Sequence, residues 1–117
     1  MTTFTDQASD ARLAARVLAT AARAEKDTAL HAMAAAVLAD TATIMAANAE
    51  DVARAEAAGT DAPLIDRLRL TPERIEAMAA GLVDLAGLAD PVGDVVRGWT
   101  NPNGVQVRQV RVPFGVV

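Results

Sequence analysis

The chain has 117 residues, 52% of them hydrophobic and 3% aromatic, with no cysteine and a net charge of −4. That length suits one small domain and is too short for two; the missing cysteine excludes disulfides, cysteine-based zinc sites and a cysteine nucleophile within these residues. Residues 95–117 hold Arg97, Arg108 and Arg111 and no acid, so residues 1–94 carry −7, and an acidic helical part argues against nucleic-acid binding.

Much of the apolar content is alanine, which favours helix and buries little area per residue. The expectation is tight helix packing on a thin core that would gain from further cover. The opening residues, Met1-Thr-Thr-Phe-Thr-Asp-Gln7, have neither a positive segment nor an apolar one, so no signal peptide is visible. No apolar run reaches 18 residues, so no membrane span is expected. The simplest compartment is the cytoplasm.

In chain order, Ala8–Ala22 reads as a first helix, with Leu13, Val17 and Ala21 on one face and Arg12 and Arg16 elsewhere. The charged run Arg23–Asp27 reads as a bend or link. From Lys26 to about Ala47, Leu30, Met33, Ala34, Val37, Leu38, Thr41, Ile44 and Met45 keep helical phase for four turns. A break near Asp40-Thr41 is compatible with their side chains, which compete for backbone hydrogen bonds. Asn48 reads as the cap of a further helix, Ala49–Ala58, with Glu50 and Asp51 in its first turn and Gly59 as its stop. Asp61-Ala-Pro63 opens a short helix through Leu68. Thr71-Pro72-Glu73 starts another that runs to Gly87.

After the loop Asp90–Gly93 the pattern changes. Val95–Trp99 reads as a strand, Thr100-Asn-Pro-Asn-Gly104 as a turn and Val105–Val112 as a second strand. Val105 and Val107 share a face, but Val110 and Val112 do not follow in phase. The slip at Arg108-Gln109 predicts a bulge. Phe114–Val117 reads as the start of a further strand. The fold class is therefore α+β: a helical layer, a β-hairpin and the beginning of another strand.

Few residues carry chemistry. His31 is the only histidine and, with no cysteine beside it, reads as a helix-surface residue. Lys26, the only lysine, reads as a solvated charge. Glu50, Asp51 and Glu56 read as helix-dipole and solubility residues. No phosphate loop is present, and Asn103-Gly104 is a hairpin turn. Arg108 and Arg111 are the candidates for holding an anionic substrate, since a strand arginine can clamp a phosphate or carboxylate; a subunit contact is the other reading. There is no catalytic, cofactor-binding or metal-binding residue to name.

Four blocks carry a resemblance: Asn48–Gly59, Leu64-Ile-Asp-Arg-Leu-Arg-Leu-Thr-Pro-Glu-Arg-Ile75, Leu88-Ala-Asp-Pro-Val-Gly-Asp-Val95 and Arg111-Val-Pro-Phe-Gly-Val-Val117. In order and spacing they resemble the amino-terminal region of the gamma-glutamyl phosphate reductases (glutamate-5-semialdehyde dehydrogenases), of the aldehyde dehydrogenase superfamily. The resemblance implies an α/β aldehyde dehydrogenase-like fold in the intact enzyme. Residues 1–94 would be the helical part of its cofactor-binding domain, 95–112 the hairpin of an oligomerisation sheet, and 113–117 the first strand of a Rossmann-like domain. It implies NADPH-dependent reduction of L-glutamyl 5-phosphate to L-glutamate 5-semialdehyde and phosphate, in proline synthesis, by a cytoplasmic homo-oligomer. The family's cysteine nucleophile and NADPH site lie downstream of these residues, which makes this chain an inactive fragment. Two other readings stand beside it: a non-catalytic helical interaction module, and a different acylating aldehyde dehydrogenase.

Overall fold

The computed structural model describes residues 3–117, as five helices and one two-stranded sheet: α1 (Phe4–Leu18), α2 (Arg23–Ala39), α3 (Thr41–Ala57), α4 (Ala62–Leu68), α5 (Pro72–Gly87), β1 (Val95–Thr100) and β2 (Gln106–Val110). The α+β expectation holds. The length pointed to one domain, but the backbone groups into two compact units, residues 27–88 and residues 1–26 with 89–117. The second unit brings together the two ends of the chain, which length alone does not reveal.

Local chemistry moves several boundaries. Thr3 and Asp6 form a capping box: the Thr3 hydroxyl oxygen accepts from the Asp6 N–H at 3.2 Å, and the Asp6 carboxylate accepts from the Thr3 N–H at 2.9 Å. Helix α1 therefore starts at Phe4, ahead of Ala8. It ends at Leu18, where the N–H and hydroxyl of Thr20 both donate to the Val17 carbonyl. Arg23–Asp27 is the first turn of α2 and not a link, because the Glu25 carboxylate accepts from the Ala22 N–H at 2.7 Å.

The pattern over residues 26–47 is split at Asp40, where α2 and α3 meet with a bend of 67°. Thr41 Oγ1 donates to the Leu38 carbonyl at 2.8 Å, the competition expected of that residue. The expected separate helix Ala49–Ala58 is instead the second half of α3, so Asn48 caps nothing. Its stop is as expected: Gly59 at φ 75° donates to Glu56, and Thr60 donates to Ala55, which closes a Schellman turn. Helix α5 begins as the sequence indicates, with Thr71 Oγ1 accepting from the Arg74 N–H at 3.2 Å and Pro72 in the first turn.

Among the described residues the buried apolar side chains all lie in residues 27–88: Ala34 of α2, Val52 of α3, Ile65 of α4, and Ile75, Ala79 and Ala86 of α5. Ile75 alone among the described residues is fully covered. Met33 and Leu38, expected on the same inner stripe as Ala34, are half-exposed. The core is thin because three of its six apolar members are alanine.

In the other unit, β1 and β2 pair antiparallel, with Arg97 opposite Gln109, Gly98 opposite Arg108 and Trp99 opposite Val107. The turn closes through bonds between Asn101 and Val105 and between Gly104 and Asn101, both 2.8 Å, with Gly104 at φ 85°. The expected irregularity exists, but β1 carries it: Val95 pairs with Val110 and Arg97 with Gln109, which leaves Val96 as the extra residue. Residues 111–117 form no strand. Phe114 and Val117 are fully exposed, and none of the described residues pairs with Phe114–Val117, so the start of a strand expected there has no ladder to join.

Candidate functional site

The two arginines singled out in the sequence stand three residues apart on an extended segment. Backbone bonds from Gly93 to Arg111 and from Arg111 to Asp94 keep Arg111 in line with β2. Side chains alternate along such a segment, so Arg108 and Arg111 leave it on opposite faces. Arg108 lies across Gly98, where an added Cβ would stand 3.7 Å from Arg108 Cγ. Arg111 shares its face with Gln109 and Val107, and hence with their partners Arg97 and Trp99. The pair does not converge on one ligand.

Trp99 makes two defined contacts on that face. The Arg97 guanidinium stands 4.9 Å from the centroid of its ring, and its indole N–H donates to Asn101 Oδ1 at 2.9 Å. A guanidinium held over an indole is one of the arrangements common where protein surfaces meet.

Lys26 is not a solvated charge. Its ammonium donates to Asp90 Oδ2 at 2.6 Å, and both side chains are about three-quarters covered. Asp90 Oδ1 also accepts from the Val92 N–H at 3.0 Å. The Lys26 hydrogen bond, and after it the Val92 N–H, hold the Asp90 carboxyl below its ordinary range. The chain's only lysine thus ties the start of α2 to the Asp-Pro-Val-Gly loop ahead of the hairpin.

His31 is exposed and borders a shallow apolar groove of about 400 Å³ that also includes Ala34, Leu38, Glu76 and Val83. Among the described residues no three histidines or acids are grouped to hold a metal ion. Glu50 and Asp51 sit in the body of α3, not in a first turn, and Asp51 pairs with Arg54. Glu56 pairs with Arg69 at 2.9 Å. No helix among the described residues is long and apolar enough to cross a membrane.

Sequence reasoning missed the role of Asn48, a buried polar side chain whose two ends both bond the α4–α5 connection. It also missed a groove between α1 and residues 113–116 lined by Arg12 and Arg16. The one available signal for the groove was the four-residue spacing of those arginines, which places them one helical turn apart.

No family model matches the chain. Two gamma-glutamyl phosphate reductases, from two strains of Rhodopseudomonas palustris, are each 53% identical to it over 116 residues, 99% of this chain and 27% of theirs. The crystal structure of the Thermotoga maritima gamma-glutamyl phosphate reductase matches with a TM-score of 0.83 at 35% identity, over 93% of this chain and 26% of that one. That of the Saccharomyces cerevisiae enzyme matches with a TM-score of 0.82 at 31% identity, over 97% and 29%. The chain spans 27% of the length of the curated relatives it matches. In sequence and in fold it is a homologue of the amino-terminal part of gamma-glutamyl phosphate reductase.

Proposed function

We propose that this chain forms the amino-terminal part of an NADPH-dependent reductase of L-glutamyl 5-phosphate, an enzyme of proline biosynthesis acting in the cytoplasm. The observation that supports this most is the 53% identity extending over 99% of the chain, with no helix left over. The reaction releases phosphate and yields L-glutamate 5-semialdehyde. The sequence has no glycine-rich phosphate loop, and no step of hydride transfer is assigned to these residues. Nor do they supply a thiol for an acyl intermediate, because the chain has no cysteine.

Its own part is structural. Residues 3–94 supply a helical layer, and residues 95–112 a bulged hairpin whose two edges are unpaired among the described residues, with exposed Val95, Val96 and Val110. An exposed edge of this kind suits sheet extension by another subunit, which makes the hairpin the contact of a homo-oligomer. Residues 113–117 lead toward the nucleotide-binding sheet.

A chimera tests the reading. These 117 residues replace the matching segment of a Rhodopseudomonas palustris reductase, and NADPH consumption or formation is followed in either direction. The expected result is turnover within about tenfold of the unaltered reductase, a difference of about 1.4 kcal/mol in barrier. A folded, oligomeric chimera without turnover would overturn it.

A further inference from the structure

We propose that Asn103 is a site of spontaneous deamidation whose rate is set by opening of the hairpin turn. This rests on the turn and not on the reductase reading. The sequence has three asparagines, and each has a different neighbour: Ala49 follows Asn48, Pro102 follows Asn101 and Gly104 follows Asn103. In the cyclic route the backbone nitrogen of the next residue attacks the side-chain amide carbon. Pro102 has no N–H to give up, and Asn48 is buried with both ends of its amide engaged. Gly104 has no Cβ to crowd its nitrogen, and both Asn103 and Gly104 are exposed to the water that the reaction consumes.

Water is the only co-reactant. The Gly104 nitrogen bonds to Asn103 Cγ, the Cγ–Nδ2 bond breaks, and the Gly104 proton leaves with Nδ2 as ammonia. The cyclic imide then adds water at either carbonyl, and opening of that C–N bond leaves aspartate or isoaspartate at position 103. The folded turn opposes the first step. Asn101–Gly104 is a β-turn closed by the Gly104 N–H, which donates to the Asn101 carbonyl at 2.8 Å. Asn103 Oδ1 accepts from the Val105 N–H at 3.2 Å, and the Asn101 N–H donates to the Val105 carbonyl at 2.8 Å. Loss of the Gly104 proton ends the first bond, and the other two resist the rotation that brings the nitrogen onto Cγ. Ring closure therefore proceeds from the opened turn. Isoaspartate lengthens the backbone inside the turn, so its product does not restore the Asn101–Gly104 bond. It also puts a carboxylate into residues 95–117, which hold three arginines and no acid.

The test incubates the 117-residue chain in mildly alkaline buffer with and without urea. Trypsin then releases Gly98–Arg108 for chromatography and mass spectrometry. In urea, conversion is expected at Asn103 to both aspartate and isoaspartate, whereas direct hydrolysis of the amide yields aspartate alone. Without urea the rate should be at least about tenfold lower, the protection given by an opening that costs about 1.4 kcal/mol. Gly104→Ala should slow conversion in urea, where no turn remains and only crowding of the nitrogen differs. No conversion in urea, aspartate as the sole product, or conversion of Asn101 as fast as Asn103 overturns the site. An unslowed Gly104→Ala in urea overturns the cyclic route, and equal rates with and without urea overturn control by the turn.

Discussion

Asn48 holds the backbone of Leu70 from the middle of another helix. Its Oδ1 accepts from the Leu70 N–H at 2.7 Å, and its Nδ2 donates to the Leu68 carbonyl at 2.9 Å. One amide thus satisfies a donor and an acceptor in the connection that leads into Thr71, the cap of α5. Asn48 is 9% exposed, so water does not readily replace it. Asn48→Ala leaves both backbone groups without a partner and should cost about 2–4 kcal/mol. Asn48→Asp keeps the acceptor but sets a carboxylate against the Leu68 carbonyl, and should also destabilise. Urea denaturation followed by circular dichroism measures both; a loss below 0.5 kcal/mol on the scale of surface substitutions for Asn48→Ala would show that the connection is held otherwise.

Asn48 also shows where reading the sequence reaches its limit. Asparagine before two acids is a common helix cap, and nothing local distinguishes a cap from an asparagine bonding a segment twenty residues away. The Thr71-Pro72-Glu73 start and the Gly59 stop were legible because their chemistry is local. The bulge was half legible. A slip in alternation shows that one residue is extra, but the pattern of β2 cannot say which strand carries it, and it is Val96 of β1. Arg108 and Arg111 were chosen by residue type, while their opposite faces follow from their odd spacing, which was there to be read.

Ile75 and Phe114 should separate sharply. Ile75 is fully buried and Phe114 is 98% exposed. Ile75→Ala removes three carbons from the centre of a thin core and should cost about 3 kcal/mol. Phe114→Ala in the 117-residue chain should change stability by less than about 0.5 kcal/mol. The midpoints of thermal melts of the two variants provide the comparison, and equal shifts would contradict the burial described.

Asp90 gives a pH dependence with a definite sign. Its folded carboxyl titrates below the ordinary 3.8, chiefly through Lys26. The bond's contribution is complete above that value and is lost as pH falls through the lower, folded one. Lys26→Met should move the Asp90 titration up toward 3.8, stopping short because Val92 still donates. Carbon-13 NMR of the carboxyl resonances reads this directly. An unmoved titration would mean that Lys26 does not hold Asp90 in solution.

Arg108 and Arg111 should act separately. In the chimera, R108A and R111A should have effects on kcat/KM that multiply in the double variant, as expected for groups without a shared ligand. A double variant no worse than the poorer single one would mean that both arms reach one anion.

Trp99 has a practical consequence. The chain has one tryptophan and no tyrosine, and that tryptophan lies on the hairpin under Arg97 and beside Asn101. Its fluorescence therefore reports the strands, while far-ultraviolet dichroism is dominated by the five helices. Two probes on one sample thus follow the hairpin and the helices separately, with no label to introduce. Superimposable melts would mean that hairpin and helices unfold as one cooperative body, and separated melts that each has a stability of its own.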